Sequence, residues 1–148
     1  MFRVRDGALE VLLGHMGGPF WARKDAGAWS IPKGELDPGE EPLAGARREF
    51  AEELGHEPPE GLVLDLGEIR QRAGKRVIAF AIEGDFDPEG IVPGTFELEW
   101  PPRSGRVLEF PEVDRVAWFD VPTAKEKIVR GQVALLDRLA QARSAPAP

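Results

Sequence analysis

The chain of 148 residues contains no cysteine and no tyrosine, and it has only two histidines, His15 and His56. Without thiols there is no disulfide framework and no thiolate nucleophile, which leaves the cytoplasm as the default location. Two histidines argue against a histidine-rich zinc centre. No G-x-S-x-G turn is present, so nothing marks a nucleophile elbow. No apolar run approaches the ~20 residues that a membrane-spanning helix needs. The opening stretch "MFRVRDGALEVLL" interleaves charge with its apolar residues, unlike the uninterrupted core of a signal peptide. A formal net charge of −7 argues against a nucleic-acid partner, which calls for a basic stripe or patch. A small phosphorylated ligand stays open, provided divalent cations lie between it and the protein.

What is present reads as one domain over residues 1–143 with a short frayed tail at 144–148. A chain of this size buries roughly two-thirds of its unfolded surface. "ALEVLLGH" alternates and then runs apolar, as a strand does. "MGGPFWARKDAG" is a loop, and "AWSIP" is a short extended piece in which Pro32 keeps Ile31 out of a helix. After the turn chemistry of "KGELDPGEEP" comes a helix. Pro42 suits its first turn and Gly55 the position just past its end, while Leu43, Ala46, Phe50 and Leu54 form an apolar stripe. "GLVLDLGEIRQR" and "KRVIAFAIEG" predict a hairpin around "AGK". "TFELEW" and "VDRVAWFDV" predict two more strands, and residues 123–143 a second amphipathic helix, weakened by Gly131. Strands then helix, twice over, suggest a mixed sheet covered on both faces.

The first helix carries an anomaly. "RREFAEELG" places Glu49, Glu52 and Glu53 within roughly 100° of arc on one wet face. Like charges at this spacing repel by a few tenths of a kcal/mol per pair. A run of carboxylates is ordinarily a solvated face. Here the surroundings argue otherwise, because residues 34–56 read "GELDPGEEPLAGARREFAEELGH". This stretch resembles the signature of the Nudix hydrolases, G-x5-E-x7-R-E-U-x-E-E-x-G-U with U apolar. Gly34, Glu40, Arg48, Glu49, Phe50, Glu52, Glu53 and Gly55 occupy the specified places, and only His56 departs from an apolar final position. That departure falls outside the acidic face and bears on packing.

The spacing also makes chemical sense by itself. Mg²⁺ takes oxygen ligands at about 2.0–2.1 Å in near-octahedral order, and carboxylates at i, i+3 and i+4 supply them from one direction. A glycine in the preceding loop lets a backbone carbonyl come close.

The resemblance implies an α/β/α sandwich with a central mixed β-sheet and a Mg²⁺-dependent pyrophosphohydrolase, with Mn²⁺ as a substitute. It implies Glu49, Glu52, Glu53 and the Gly34 carbonyl as metal ligands, with Arg48 orienting a neighbouring glutamate and Glu40 bracing the loop. Glu49 is the first choice of general base and Glu52 the second. A further acidic ligand is expected after the helix, with Glu112 preferred over Glu109, and Glu97 or Glu99 behind them.

"WSIPKG", 29–34, is similar to the lead-in of members acting on dinucleoside polyphosphates or nucleoside triphosphates. Lys33 is a candidate phosphate contact, and so are Arg70, Arg72, Lys75 and Arg76 around the hairpin turn. Trp29, in that lead-in, is a candidate substrate-binding residue; one of Phe20, Trp21, Trp29, Phe86 and Trp100 is expected to stack on a base, and the sequence does not say which. The expected substrate is a nucleotide derivative, held by a monomer or homodimer. Dinucleoside polyphosphates come first, nucleoside triphosphates second and sugar nucleotides third. The alternative is a nucleotide-sensing Nudix-like module that binds without turnover.

Overall fold

The computed structural model describes residues 1–71 and 74–144. Arg72 of the hairpin turn and residues 145–148 of the expected tail lie outside them. In chain order the first elements are β1 (Phe2–Arg5), β2 (Ala8–Met16), β3 (Trp29–Ser30) and α1 (Pro42–Leu54). Then follow β4 (Val63–Arg70), β5 (Arg76–Ile82), β6 (Thr95–Glu99), β7 (Val107–Pro111) and β8 (Val113–Asp120). Two helices close the chain, α2 (Val121–Lys127) and α3 (Val133–Ser144).

The long strand β2 is the axis of the sheet. One edge pairs antiparallel with β1 over Ala8–Val11 and with β3 at Gly14 and His15, while the other pairs with β8. A parallel bridge between Phe2 and Glu83, backed by a 3.0 Å bond from the Gly84 N–H to the Phe2 carbonyl, joins the β4–β5 hairpin to β1. The sheet is therefore mixed, as the sequence suggested. The β6–β7 hairpin stands apart as a two-stranded unit.

Side-chain alternation along β2 assigns the two faces. Leu12 points to α1 and packs with Phe50, Leu54, Val113 and Val116. Val11 and Leu13 point the other way, to Ala124 and Ile128 at α2 and to Leu136 and Leu139 of α3. Helices on both faces make an α/β/α sandwich. β5 follows the same logic: Ala79 and Ala81 face the α3 side of the core, and the larger Ile78, Phe80 and Ile82 face the α1 side.

Three features depart from the sequence reading. β1 and β7 are strands that the patterning did not single out. The helix expected over residues 123–143 is two helices. Asp120 begins the first of them early, its carboxylate accepting the Thr123 N–H at 2.8 Å. Ile128 is extended and residues 130–132 form a 3-10 turn through Gly131 before α3 starts. Ser144 belongs to α3, its hydroxyl donating to the Ala140 carbonyl.

His15 is structural. It is fully buried, with Nδ1 3.0 Å from the Asp114 carboxylate, Nε2 2.6 Å from the Lys24 carbonyl, and its ring edge-on to Trp29. Among the described residues no helix is long and apolar enough to cross a membrane.

Candidate active site

α1 presents its apolar stripe to the sheet and its acidic face to a loop, residues 31–40. Pro42 opens the helix, and Gly55 closes it in a left-handed conformation at φ 80°, donating to Ala51 O at 2.8 Å. Beyond Gly55, His56 packs edge-on to Phe86, which itself lies against Phe50. The departure from the signature is thus absorbed in packing.

Arg48 is the hub. All five of its N–H donors are taken. Nε and Nη2 grip Glu40 at 2.8 and 2.9 Å, Nη2 also reaches the Glu35 carbonyl at 2.8 Å, and Nη1 serves Glu49 at 2.9 Å and Glu52 at 3.1 Å. Glu40 additionally accepts the Asp37 N–H, so it braces loop to helix as the resemblance implied. This pairing with Arg48 holds the Glu40 carboxyl down at about 2. A carboxylate depressed in the fold contributes stability that is complete above its ordinary value of 4.5 and lost as pH falls toward 2. In thermal melts, Glu40→Gln is therefore expected to be less stable than the parent at pH 6, with the gap closing as pH approaches 2.5.

Glu53 is in the opposite condition. Burial pushes its carboxyl up to about 7, with Glu112 and Glu49 adding to the rise and the Lys33 charge and backbone amide opposing it. Gly34 lies so close to Glu49 that a Cβ would overlap its carboxyl. Glu112 enters from the β7–β8 junction, where its N–H bonds the Gly94 carbonyl at 2.8 Å. Gly94 in turn packs beside the Glu52 carbonyl and the Glu112 carboxylate. Glu109 stays in the β6–β7 hairpin opposite Glu97, and Glu99 lies opposite Val107 there.

The donor set is thus oxygen-rich, suited to a hard dication, and its charge is only partly compensated. Among the described residues no three of these side chains close into a metal cage, since Arg48 holds both Glu49 and Glu52.

Beside this cluster runs a cleft of about 450 Å³. Lys33, Gly34 and Glu49 form its polar end, Ile78, Phe80, Ile82, Leu36 and Phe50 its apolar walls, and Lys75 and Arg76 part of its rim. Two residues expected at the ligand are elsewhere. Trp29 is 4% exposed, with its Nε1 on Asp25 and its ring edge-on to Phe119, so it belongs to the core and offers no face for stacking. Arg70 stands opposite Arg76 at the exposed end of the hairpin and does not line the cleft. Sequence reasoning missed the cleft wall. The large residues of "VIAFAI" at alternate positions were the available signal.

Comparison with known proteins agrees with this geometry. The model of the NUDIX domain matches residues 1–139. The NUDIX domain of Shewanella oneidensis NrtR, complexed with ADP ribose, superposes with a TM-score of 0.62 at 16% identity, covering 97% of this chain and 83% of that one. A C. elegans Ap4A hydrolase binary complex gives 0.61 at 18% identity, covering 97% and 92%. The E. coli ORF135 protein gives 0.55 at 22% identity, covering 99% and 90%. An octanoyltransferase from Myxococcus xanthus is 33% identical over 102 residues, 69% of this chain, which spans about a quarter (25%) of that protein's length. With the signature, the sandwich and the domain match in agreement, the chain belongs to the NUDIX domain family.

Proposed function

We propose that this protein is a Mg²⁺-dependent pyrophosphohydrolase whose substrate is a dinucleoside polyphosphate or, second, a nucleoside triphosphate. The observation that supports the reading is the cleft, whose lining includes apolar side chains, Glu49 of the glutamate cluster, and the cations Lys33, Lys75 and Arg76. A base fits the apolar walls of β5 and Leu36. Lys33 and Lys75 suit the phosphates, and the scissile anhydride falls between Lys33 and Glu49. Glu49, Glu52, Glu53, Glu112 and the Gly34 carbonyl would hold the cation. When bound, it offsets phosphate charge and makes water acidic enough to be deprotonated near neutral pH. Glu49 lines the cleft, which supports it as the first choice of general base, with Glu52 second. Arg48 keeps Glu49 aimed, and Glu40 keeps Arg48 aimed.

The test is a panel of diadenosine polyphosphates, nucleoside triphosphates and nucleotide sugars, with products resolved by anion exchange. Cleavage of one anhydride bond is expected with Mg²⁺, none with excess chelator, and recovery when Mg²⁺ or Mn²⁺ is returned. Tight nucleotide binding with no product would instead make this a sensing module. No rise in melting temperature with Mg²⁺ plus nucleotide would count against any nucleotide site.

A further inference from the structure

The loop that carries Lys33 and Gly34 is held at its far end by Arg48, through the Glu35 carbonyl. Its near end is held by a residue from the opposite side of the sheet. Gln132 lies in the turn between α2 and α3 and is fully buried. Its Oε1 accepts the Ile31 N–H at 3.1 Å, and its Nε2 donates to the Ser30 hydroxyl at 3.1 Å. That hydroxyl donates to the Ile31 carbonyl at 2.8 Å. Just before the turn, the Val129 N–H donates to the Trp29 carbonyl at 2.8 Å, and Ile128 bridges Trp29 in parallel. The α2–α3 turn therefore docks on β3 through backbone and one side-chain amide.

Ile31 is followed by Pro32, whose ring fixes φ and restricts the residue before it. Little torsional freedom remains between the clamped Ile31 and the pair Lys33–Gly34. We infer that Gln132 is a positioning residue of the active site: by fixing Ser30 and Ile31 it sets where Gly34 meets Glu49 and where Lys33 faces Glu53. It touches neither substrate nor metal. The inference rests on the function proposed above, and it predicts which steps feel the clamp. Binding of the cation and the chemical step depend on loop placement, as does the Lys33 contact to phosphate, whereas apolar seating of the base on β5 does not.

Gln132→Leu keeps the volume and removes both hydrogen bonds. Its expected effects are a fall in kcat and a rise in the Mn²⁺ dissociation constant, each on the order of 10–100-fold. Mn²⁺ affinity is read without substrate, from the paramagnetic resonance of the free ion. Ser30→Ala, which leaves the Ile31 bond intact, is expected to move both quantities the same way by less, and it decides the matter alone if Gln132→Leu does not fold. Folded variants with parental kcat and Mn²⁺ affinity, whatever their melting temperature, would overturn the inference and leave the function standing. A parent protein that neither binds Mn²⁺ nor turns over nucleotide would remove the function, and the inference with it.

Discussion

Glu53→Gln is expected to abolish turnover while making the metal-free protein harder to melt at pH 8. The two effects share one cause. The Glu53 carboxyl titrates at about 7 in the fold and near 4.5 in the unfolded chain, because it is buried among carboxylates. The fold thus holds this proton more tightly than the unfolded chain does. Ionising the group carries a penalty that begins near pH 4.5, grows as pH rises and is complete above about 7. At 1.36 kcal/mol per unit, and with partial exposure screening the charge, the recoverable part is about 1–3 kcal/mol. That corresponds to roughly 2–8 °C in a domain of this size. Glutamine cannot ionise, so the gain should appear at pH 8 and vanish as pH falls below about 4.5. On the function proposed above, glutamine also withdraws a charged ligand from the cation, and the loss in kcat should be on the order of 10³. Addition of Mg²⁺ should raise the melting temperature of the parent more than that of the variant. A variant that still turns over, or that melts earlier than the parent at pH 8, would contradict the assignment.

Gly34→Ala is the second substitution with a large expected effect, and it isolates geometry from charge. The added methyl occupies space held by the Glu49 carboxyl. Backbone strain does not enter, since Gly34 is not among the glycines with positive φ. Either the loop retreats or Glu49 rotates away from Arg48, and both separate the Gly34 carbonyl from Glu49. A misplacement of about 1 Å at a reacting centre lowers kcat by about 10². The fold should survive, because the clash is with the end of a side chain at the rim of a cleft. The comparison to make is kcat, KM and melting temperature for Gly34→Ala, for Glu49→Asp and for the double variant. Recovery of part of the lost kcat in the double variant, relative to Gly34→Ala, would confirm the clash. Unchanged kcat in Gly34→Ala alone would show that the loop is not part of the site.

The parts of this molecule legible in the sequence were those encoded locally. α1 was bounded correctly at Pro42 and Gly55 because proline at a helix start and glycine past its end act within one turn. The bond between Arg48 and Glu40 was legible because only eight residues separate them along one loop and helix. Glu112 could be named from its place before a strand, yet only the docking of the 91–94 segment on the end of α1, through a bond from the Val92 N–H to Leu54 O, shows why it arrives at Glu52 and Glu53. Trp29 was misread for a similar reason. Its neighbours Ile31, Pro32, Lys33 and Gly34 do line the cleft, but strand alternation turns the indole into the core, against His15 and Phe119. β1 escaped notice because only Phe2 of its four residues is buried. The helix break was hidden by an apolar period that continues through it: Ile128 and Val129 read as helix but are spent on β3.

The interruption between α2 and α3 separates two mechanical duties. α3 anchors the β4–β5 hairpin, with Arg138 donating to the carbonyls of Leu66 and Glu68, while the turn before it grips β3. One continuous rod could not serve both strands independently. Lengthening or shortening the 128–132 segment by a single residue would shift the loop that carries Lys33 and Gly34 while leaving the hairpin anchored, which makes this remote turn a place where the geometry of the cleft can be adjusted with the scaffold left intact.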